Sequence, residues 1–285
     1  MFTAKNRSTM QIVYRLTAII LAVLLLASCA RNVPSSEDKP DDKGKPEVTV
    51  QPEDKGSDNS GQQQDKGSNA PGSPATAAES YSNFATAKGD VITMLSDALA
   101  NNPDTALYSM SLLGVVMVDL AMLPASSFGL GQEAANTALG FLGLKDIEYT
   151  ESGNQYSVKH TRDDGRKYEL QGVYDKAADS LKCKAFLDGS HCLTYEYRKT
   201  SYGYVAQIFS IGDDGSAYVY KLAFSDRNGA VGMSEESAEP PALTGSETID
   251  FPKQCPEWYA IDGDAVTGVT SDGKELSFVY TPSED

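Results

Sequence analysis

From Gln155 onward the chain alternates apolar and polar residues, and turn signals interrupt it every 11 to 14 residues. They fall at Asp164-Gly165, Lys176 to Asp179, Asp188-Gly189, Thr200 to Gly203, Asp214-Gly215 and Asn228-Gly229. Period-two patterning broken at such short, regular intervals is the signature of an antiparallel meander. Register follows from which residues can face each other. A two-residue loop at Asp164-Gly165 would set Val158 against Gln171. A three-residue loop, Asp163 to Gly165, sets Val158 opposite Leu170 and His160 opposite Tyr168, with Gly165 where a left-handed residue is needed. The same rule at Asp213-Asp214-Gly215 sets Ile208 opposite Tyr220, Ala206 opposite Leu222 and Tyr204 opposite Phe224. Applied to Leu187-Asp188-Gly189, it sets Leu181 opposite Tyr195 and Cys183 opposite Leu193.

One sheet face then collects Tyr156, Val158, Tyr168, Leu170, Leu181, Cys183, Leu193, Tyr195, Tyr197, Tyr204, Ile208, Tyr218, Tyr220, Leu222 and Phe224. The other carries Lys159, Glu169, Lys182, Lys184, Glu196, Gln207 and Lys221, diluted by Val205, Phe209 and Val219. One face is expected to meet a core and the other to stay largely wet. A Pro- and acid-rich stretch from Glu235 to Asp250 interrupts the pattern. Glu257 to Ile261, Ala265 to Thr270 and Lys274 to Tyr280 come next as a C-terminal β-hairpin group, which either extends the meander or forms a flap.

Ahead of the strands the period is helical. Tyr81, Phe84, Ala87, Val91, Leu95 and Leu99 recur at three to four residues. Asn102, with Pro103 after it, predicts the start of a second helix running to Leu123. From Ala106 to Leu123 that segment has Asp119 as its single charge. A helix apolar on all faces is expected to be buried between layers rather than to span a membrane. Gly131 to about Phe141 is a third helical candidate. The fold class expected is α+β, with N-terminal helices on one face of a meandering antiparallel sheet that could curl into a half-barrel. The boundaries are 80–145 helical, 154–234 meander and 251–281 C-terminal strands, within a single domain over 80–285.

The N-terminus carries a different kind of information. Lys5, Arg7 and Arg15 precede a run dominated by apolar residues, Leu16 to Leu26, then Leu26-Ala27-Ser28-Cys29. The run is shorter than the ~20 residues needed to cross a bilayer and has the flanks of a secretory signal. Leu26 to Cys29 resembles the lipobox of bacterial lipoproteins. That resemblance implies cleavage after a 1–28 signal peptide, acylation of Cys29 and a lipid-anchored, extracytoplasmic protein of the cell membrane or outer membrane. Ala30, next in the chain, is not the aspartate that usually retains such proteins in an inner membrane. Two acyl chains on Cys29 would satisfy the two-signal requirement for stable anchoring.

Residues 29–79 contain no aromatic residue and repeat Asp-Lys-Gly at Asp42, Asp54 and Asp65. Such a segment cannot bury enough apolar surface to order itself. It reads as a spacer with a mean span of about 35–42 Å. The chain has 24 Lys+Arg against 40 Asp+Glu, a net charge of −16; without the leader's three bases, 21 face 40 and the charge is −19. That balance excludes a nucleic-acid partner and electrostatic adhesion to anionic lipid.

Little catalytic chemistry is legible. His160 and His191 are the only imidazoles. His191 and Cys192, as strand neighbours, are expected to point to opposite faces and form no nucleophile–base pair. There is no nucleophile elbow, Walker loop, H-E-x-x-H or dinucleotide fingerprint. The Asp163-Asp164, Asp213-Asp214 and Asp262 loops lack calcium-loop spacing and read as turns. Neither metal nor cofactor is implied. Cys183, Cys192 and Cys255 are an odd set, and the opposite facing of Cys183 and Cys192 argues against a hairpin disulfide.

Nine of the 15 tyrosines lie between Tyr156 and Tyr220. Tyr195, Tyr197, Tyr204, Tyr218 and Tyr220 are the candidate binding residues, lining an apolar cavity under the helices. The function expected is a non-catalytic binding module for an apolar or amphipathic ligand. The alternative is a structural or protein-interaction lipoprotein of the envelope with a filled core.

Overall fold

The computed structural model describes residues 74–281; Cys29 and the leader lie outside the described residues, as does the linker as far as residue 73. Helix α1 (Ala77–Asn101) opens on Thr76, whose hydroxyl accepts from Glu79 N, while Glu79 Oε2 accepts from Ala75 N. This arrangement is close to a capping box, with Glu79 reaching the residue before the N-cap rather than Thr76 itself, and it starts the folded part slightly before the expected residue 80. Of the expected stripe, Tyr81, Phe84, Val91, Leu95 and Leu99 are buried, while Ala87 is half-buried and Lys88 beside it is buried instead.

The second helix departs from expectation. Asn102 does not start it; it ends α1, in an extended conformation, with its Oδ1 accepting from Asp104 N at 3.0 Å. The proline after it disfavours helical dihedrals at Asn102, so the residue that looked like an N-cap is a terminator. Beyond it the chain makes a turn, a 3₁₀ segment (Tyr108–Leu112), α2 (Leu113–Met122) and a second 3₁₀ segment (Leu123–Ser127). Nor is this stretch sandwiched: Leu107, Met110 and Met117 are exposed. Helix α3 (Gln132–Phe141) then leads into the sheet.

All strands belong to one open antiparallel sheet whose spatial order is its chain order. They are β1 (Lys145–Ser152), β2 (Gln155–Thr161), β3 (Lys167–Asp175), β4 (Ser180–Leu187), β5 (Ser190–Lys199) and β6 (Tyr204–Ile211). The rest are β7 (Ala217–Phe224), β8 (Gly229–Glu235), β9 (Glu257–Asp262), β10 (Ala265–Val269) and β11 (Glu275–Val279). The C-terminal group therefore extends the meander, through β8–β9 pairing of Val231 with Tyr259. Strand β1 has no counterpart in the sequence pattern: Tyr149 is its one buried residue, so no alternation shows. It is the sheet edge, and Lys145, Asp146, Glu148 and Glu151 discourage pairing there with another chain.

Two hairpins adopt the expected register. Val158 pairs with Leu170 and His160 with Tyr168; Ile208 pairs with Tyr220 and Tyr204 with Phe224. The β4–β5 hairpin does not. Leu181 pairs with Tyr197 and Cys183 with Tyr195, because the loop is the two residues Asp188-Gly189, both at positive φ (52° and 80°). That is a type I′ turn, and a bulge next to it absorbs the odd residue.

The face opposite the tyrosines is wet only in part. Residues 236–250 cross it as a strap: Gln207 Nε2 donates to Pro241 O at 2.6 Å, and Tyr202 Oη to Glu247 O at 3.2 Å. Lys184 Nζ reaches Glu239 at 3.1 Å. Val205, Phe209 and Val219, which dilute the polar pattern in sequence, are all buried on this face.

Candidate functional site

Three of the five candidate tyrosines meet around one helix residue. Phe84 stacks on Tyr197 with ring centroids 4.1 Å apart and nearly parallel planes, and meets Tyr195 and Tyr204 edge-on at 6.1 and 5.5 Å. Tyr197 and Tyr204 are themselves edge-to-face at 6.3 Å. The alternation of β5 places Tyr195 and Tyr197 on the same face, and α1 lays Phe84 between them. Tyr220 sits apart, over Gly114 of α2, where any Cβ would collide with its hydroxyl. Tyr218 is at the exposed rim, 3.4 Å from Glu235. The sequence-selected set is thus one cluster of three plus two peripheral members.

The phenol oxygens of the cluster are satisfied by α1. Ser80 Oγ donates to Asp179 Oδ1 at 2.5 Å, so Tyr197 Oη, 2.8 Å away, donates to Ser80. Lys88 Nζ donates to Tyr195 Oη at 3.3 Å and pairs with Asp119 of α2. Lys88 is only 2% exposed. A cation so placed needs a counter-charge, and Asp119 supplies it. Burial pushes the Asp119 carboxyl above its ordinary value, against the pull of Lys88. Burial also raises the Tyr195 and Tyr197 hydroxyls well above theirs and pushes Tyr204 up to about 12. These phenols remain neutral donors and acceptors at physiological pH. Two polar clamps, Ser80–Asp179–Tyr197 and Lys88–Asp119–Tyr195, therefore fasten α1 to the sheet and to α2.

Sequence reasoning missed both clamps. The signal of the second was present: Lys88 is the lone cation of α1, and Asp119 is the lone charge of the next helix.

The remaining candidate chemistry is engaged locally. His191 Nε2 lies 3.0 Å from both Leu193 O and Thr194 Oγ1. The bulge leaves Cys192 packed against the same core as Cys183, with its Sγ 3.4 Å from Ala185 O, so the opposite-face argument for these thiols is corrected. Cys183, Cys192 and Cys255 are free. Burial raises the Cys183 thiol far above its ordinary value, which makes it inert as a nucleophile. Asp164 Oδ1 accepts from Arg166 N and Asp214 Oδ1 from Ser216 N, at 3.1 and 3.0 Å; each carboxylate closes its own turn. Among the described residues no three His, Cys, Asp or Glu side chains gather where they could hold a metal ion.

Two open concavities lie near the β1 edge, away from Phe84. One of about 480 Å³ is lined by Ser157, Gln171, Lys182 and Lys184 on the polar face. Another of about 630 Å³ lies between Thr76, Tyr156 and the β3–β4 turn. No protein-family model matches this chain, and neither a curated protein nor a solved structure shows significant similarity to it.

Proposed function

We propose that this protein is a lipid-anchored, extracytoplasmic envelope protein whose folded part is a non-catalytic interaction domain with a filled core. The anchor rests on the leader, with Leu26-Ala27-Ser28-Cys29 as the acylation site. The observation that carries the rest is the Phe84–Tyr197 stack: the space an apolar ligand would need between helix and tyrosine face is taken by an aromatic ring. A carrier built on Tyr195, Tyr197 and Tyr204 would have to displace α1 and break both polar clamps, and a half-barrel sheet would have to open beneath it. A sheet of this length, covered by helices on one face and by a strap on part of the other, offers large surfaces to a protein or cell-wall partner. The reading leaves out catalysis because Lys88, Tyr195 and Tyr197 are engaged in the two clamps and burial holds Cys183 as a thiol.

Native mass spectrometry of the mature chain, extracted from membranes, tests this reading. The expected mass is the polypeptide from Cys29 plus its own acyl groups. A further lipid that co-purifies stoichiometrically, and is lost when Tyr204 or Tyr220 is changed to Ala, would decide for a carrier.

A further inference from the structure

The segment between α1 and α3 presents an apolar face that nothing in the described residues covers. Leu107, Met110 and Met117 are 84%, 58% and 49% exposed, and Leu113 and Leu120 are half-buried between them. These five positions recur at three- and four-residue steps through the 3₁₀ segment and α2, so they share one side. From Thr105 to Gln132 the only charge is Asp119, and it is turned inward to Lys88. The strip is therefore uncharged on a chain that is otherwise strongly acidic. Contiguous exposed apolar surface of this kind marks an interaction site.

The path of the backbone indicates what the strip meets. Ala78 N donates to Phe128 O at 2.9 Å, and Gly129 packs beside Thr76. The chain thus enters the domain at the C-terminal end of this same segment, next to the exposed Leu130. We infer that the strip docks on the surface of the bilayer that holds Cys29, laying Leu107, Met110 and Met117 among the acyl chains. This deepens the anchored-protein reading and rests on it. Interfacial helical segments bind by apolar burial, and an uncharged strip suits zwitterionic lipid. Three side chains hold a free domain only weakly. Anchoring makes the encounter intramolecular, at an effective concentration on the order of millimolar, which is enough to populate a weak docked state.

The test uses the mature acylated chain on phosphatidylcholine vesicles, with Trp258→Phe to clear the background. Met110→Trp is the probe, Leu107→Trp the second probe should the first disturb folding, and Val173→Trp on the polar sheet face the control. With brominated phosphatidylcholine, the strip probes should lose more than about half their emission, since docked helical faces sit ~5–10 Å into the interface. The control should keep its emission, and 1 M salt should change neither. Coflotation with vesicles and no quenching at either strip position overturns docking and leaves the anchor standing. Equal quenching at Val173→Trp overturns the assignment of the strip. A dimer on the vesicle with the strip probes unquenched would assign the strip to a second copy instead. Absence of acyl mass on Cys29 removes the anchor, and docking falls with it.

Discussion

Helix α1 and the segment after it carry apolar residues to opposite ends. Helix α1 is mixed in composition, with Lys88, Asp90 and Asp97 among its residues, yet one face is buried from Ala77 to Leu99, with Lys88 as its one buried charge. Tyr108–Ser127 is apolar enough to pass for a membrane span, yet only 28% of its most apolar window is buried. Periodicity, not hydropathy, decided which helix joined the core. A 3.6-residue stripe with polar residues elsewhere fixes the face a helix must present, whereas a segment apolar on every side fixes none. The second segment buries Leu112, Val115, Met122 and Ala125, packs Val116, Val118 and Ala121 partly against the core, and leaves Met110 and Met117 exposed.

The sharpest way to break this comparison is Phe84→Ala. Phe84 touches Tyr195, Tyr197, Tyr204 and Phe224, so removing it opens a cavity in the middle of the helix–sheet layer. The expected cost is about 3–5 kcal/mol by denaturant titration. A loss under ~1 kcal/mol would mean that α1 is not the element that closes the core.

Close behind is the buried pair that joins the two regions. Lys88→Met alone should cost roughly 3 kcal/mol, because it strands Asp119 among apolar side chains. The double variant Lys88→Met with Asp119→Leu should recover most of that loss, since a buried pair is often matched by apolar residues of similar volume. Independent, additive losses in this cycle would show that the two groups are not coupled.

Such particulars also decide how far the fold is legible in the sequence. The β2–β3 and β6–β7 hairpins were legible because turn chemistry and cross-strand matching agreed, with Gly165 and Gly215 both at positive φ of 83°. The β4–β5 hairpin was not. From Leu193 onward its true register differs from the expected one by two residues, and such a slip leaves those side chains on their original face, so alternation cannot distinguish the two; only at the bulge, where Cys192 turns to the core, does facing change. Strand β1 was invisible because an edge strand with a single buried tyrosine shows no alternation. The strap was missed as a cover, although Val205, Phe209 and Val219 on a nominally wet face were its trace. Of the five candidate tyrosines, alternation placed Tyr195, Tyr197 and Tyr204 on one face, where they meet around Phe84. What filled the space above them, Phe84, was assigned only to its own helix, because the pairing of helix to sheet is long-range and leaves no local pattern.

A smaller effect is expected where the second segment touches the sheet. Tyr168 Oη donates to Ala121 O at 2.7 Å, near the C-terminus of α2, where carbonyls lack helical partners. Tyr168→Phe should cost about 1 kcal/mol. His160 lies against Tyr168, at 5.2 Å between rings, and its pKa is lowered, chiefly by burial. A base with a depressed folded pKa takes up its proton more readily when unfolded. Stability should therefore fall as pH drops below the ordinary imidazole value of 6.5 and level off below the folded value. His160→Gln should flatten that slope between wild-type melts at pH 7.5 and pH 5. An unchanged slope would place the acid sensitivity elsewhere.

The smallest effect belongs to the residues that look most like core. Met117→Gln and Leu107→Gln alter exposed side chains, so in detergent-extracted protein each should change stability by no more than about 0.5 kcal/mol. Met117 lies inside the membrane-like segment and Leu107 borders it, and a reading by hydropathy would assign them the cost of a buried leucine, ~2–5 kcal/mol. The two expectations differ by more than the error of a urea titration. A near-zero loss for both, beside a large one for Phe84→Ala, would establish that the second segment is held by one side only. A loss of several kcal/mol at Met117 would mean instead that its outer face is covered in the folded protein, and the contrast with α1 would collapse.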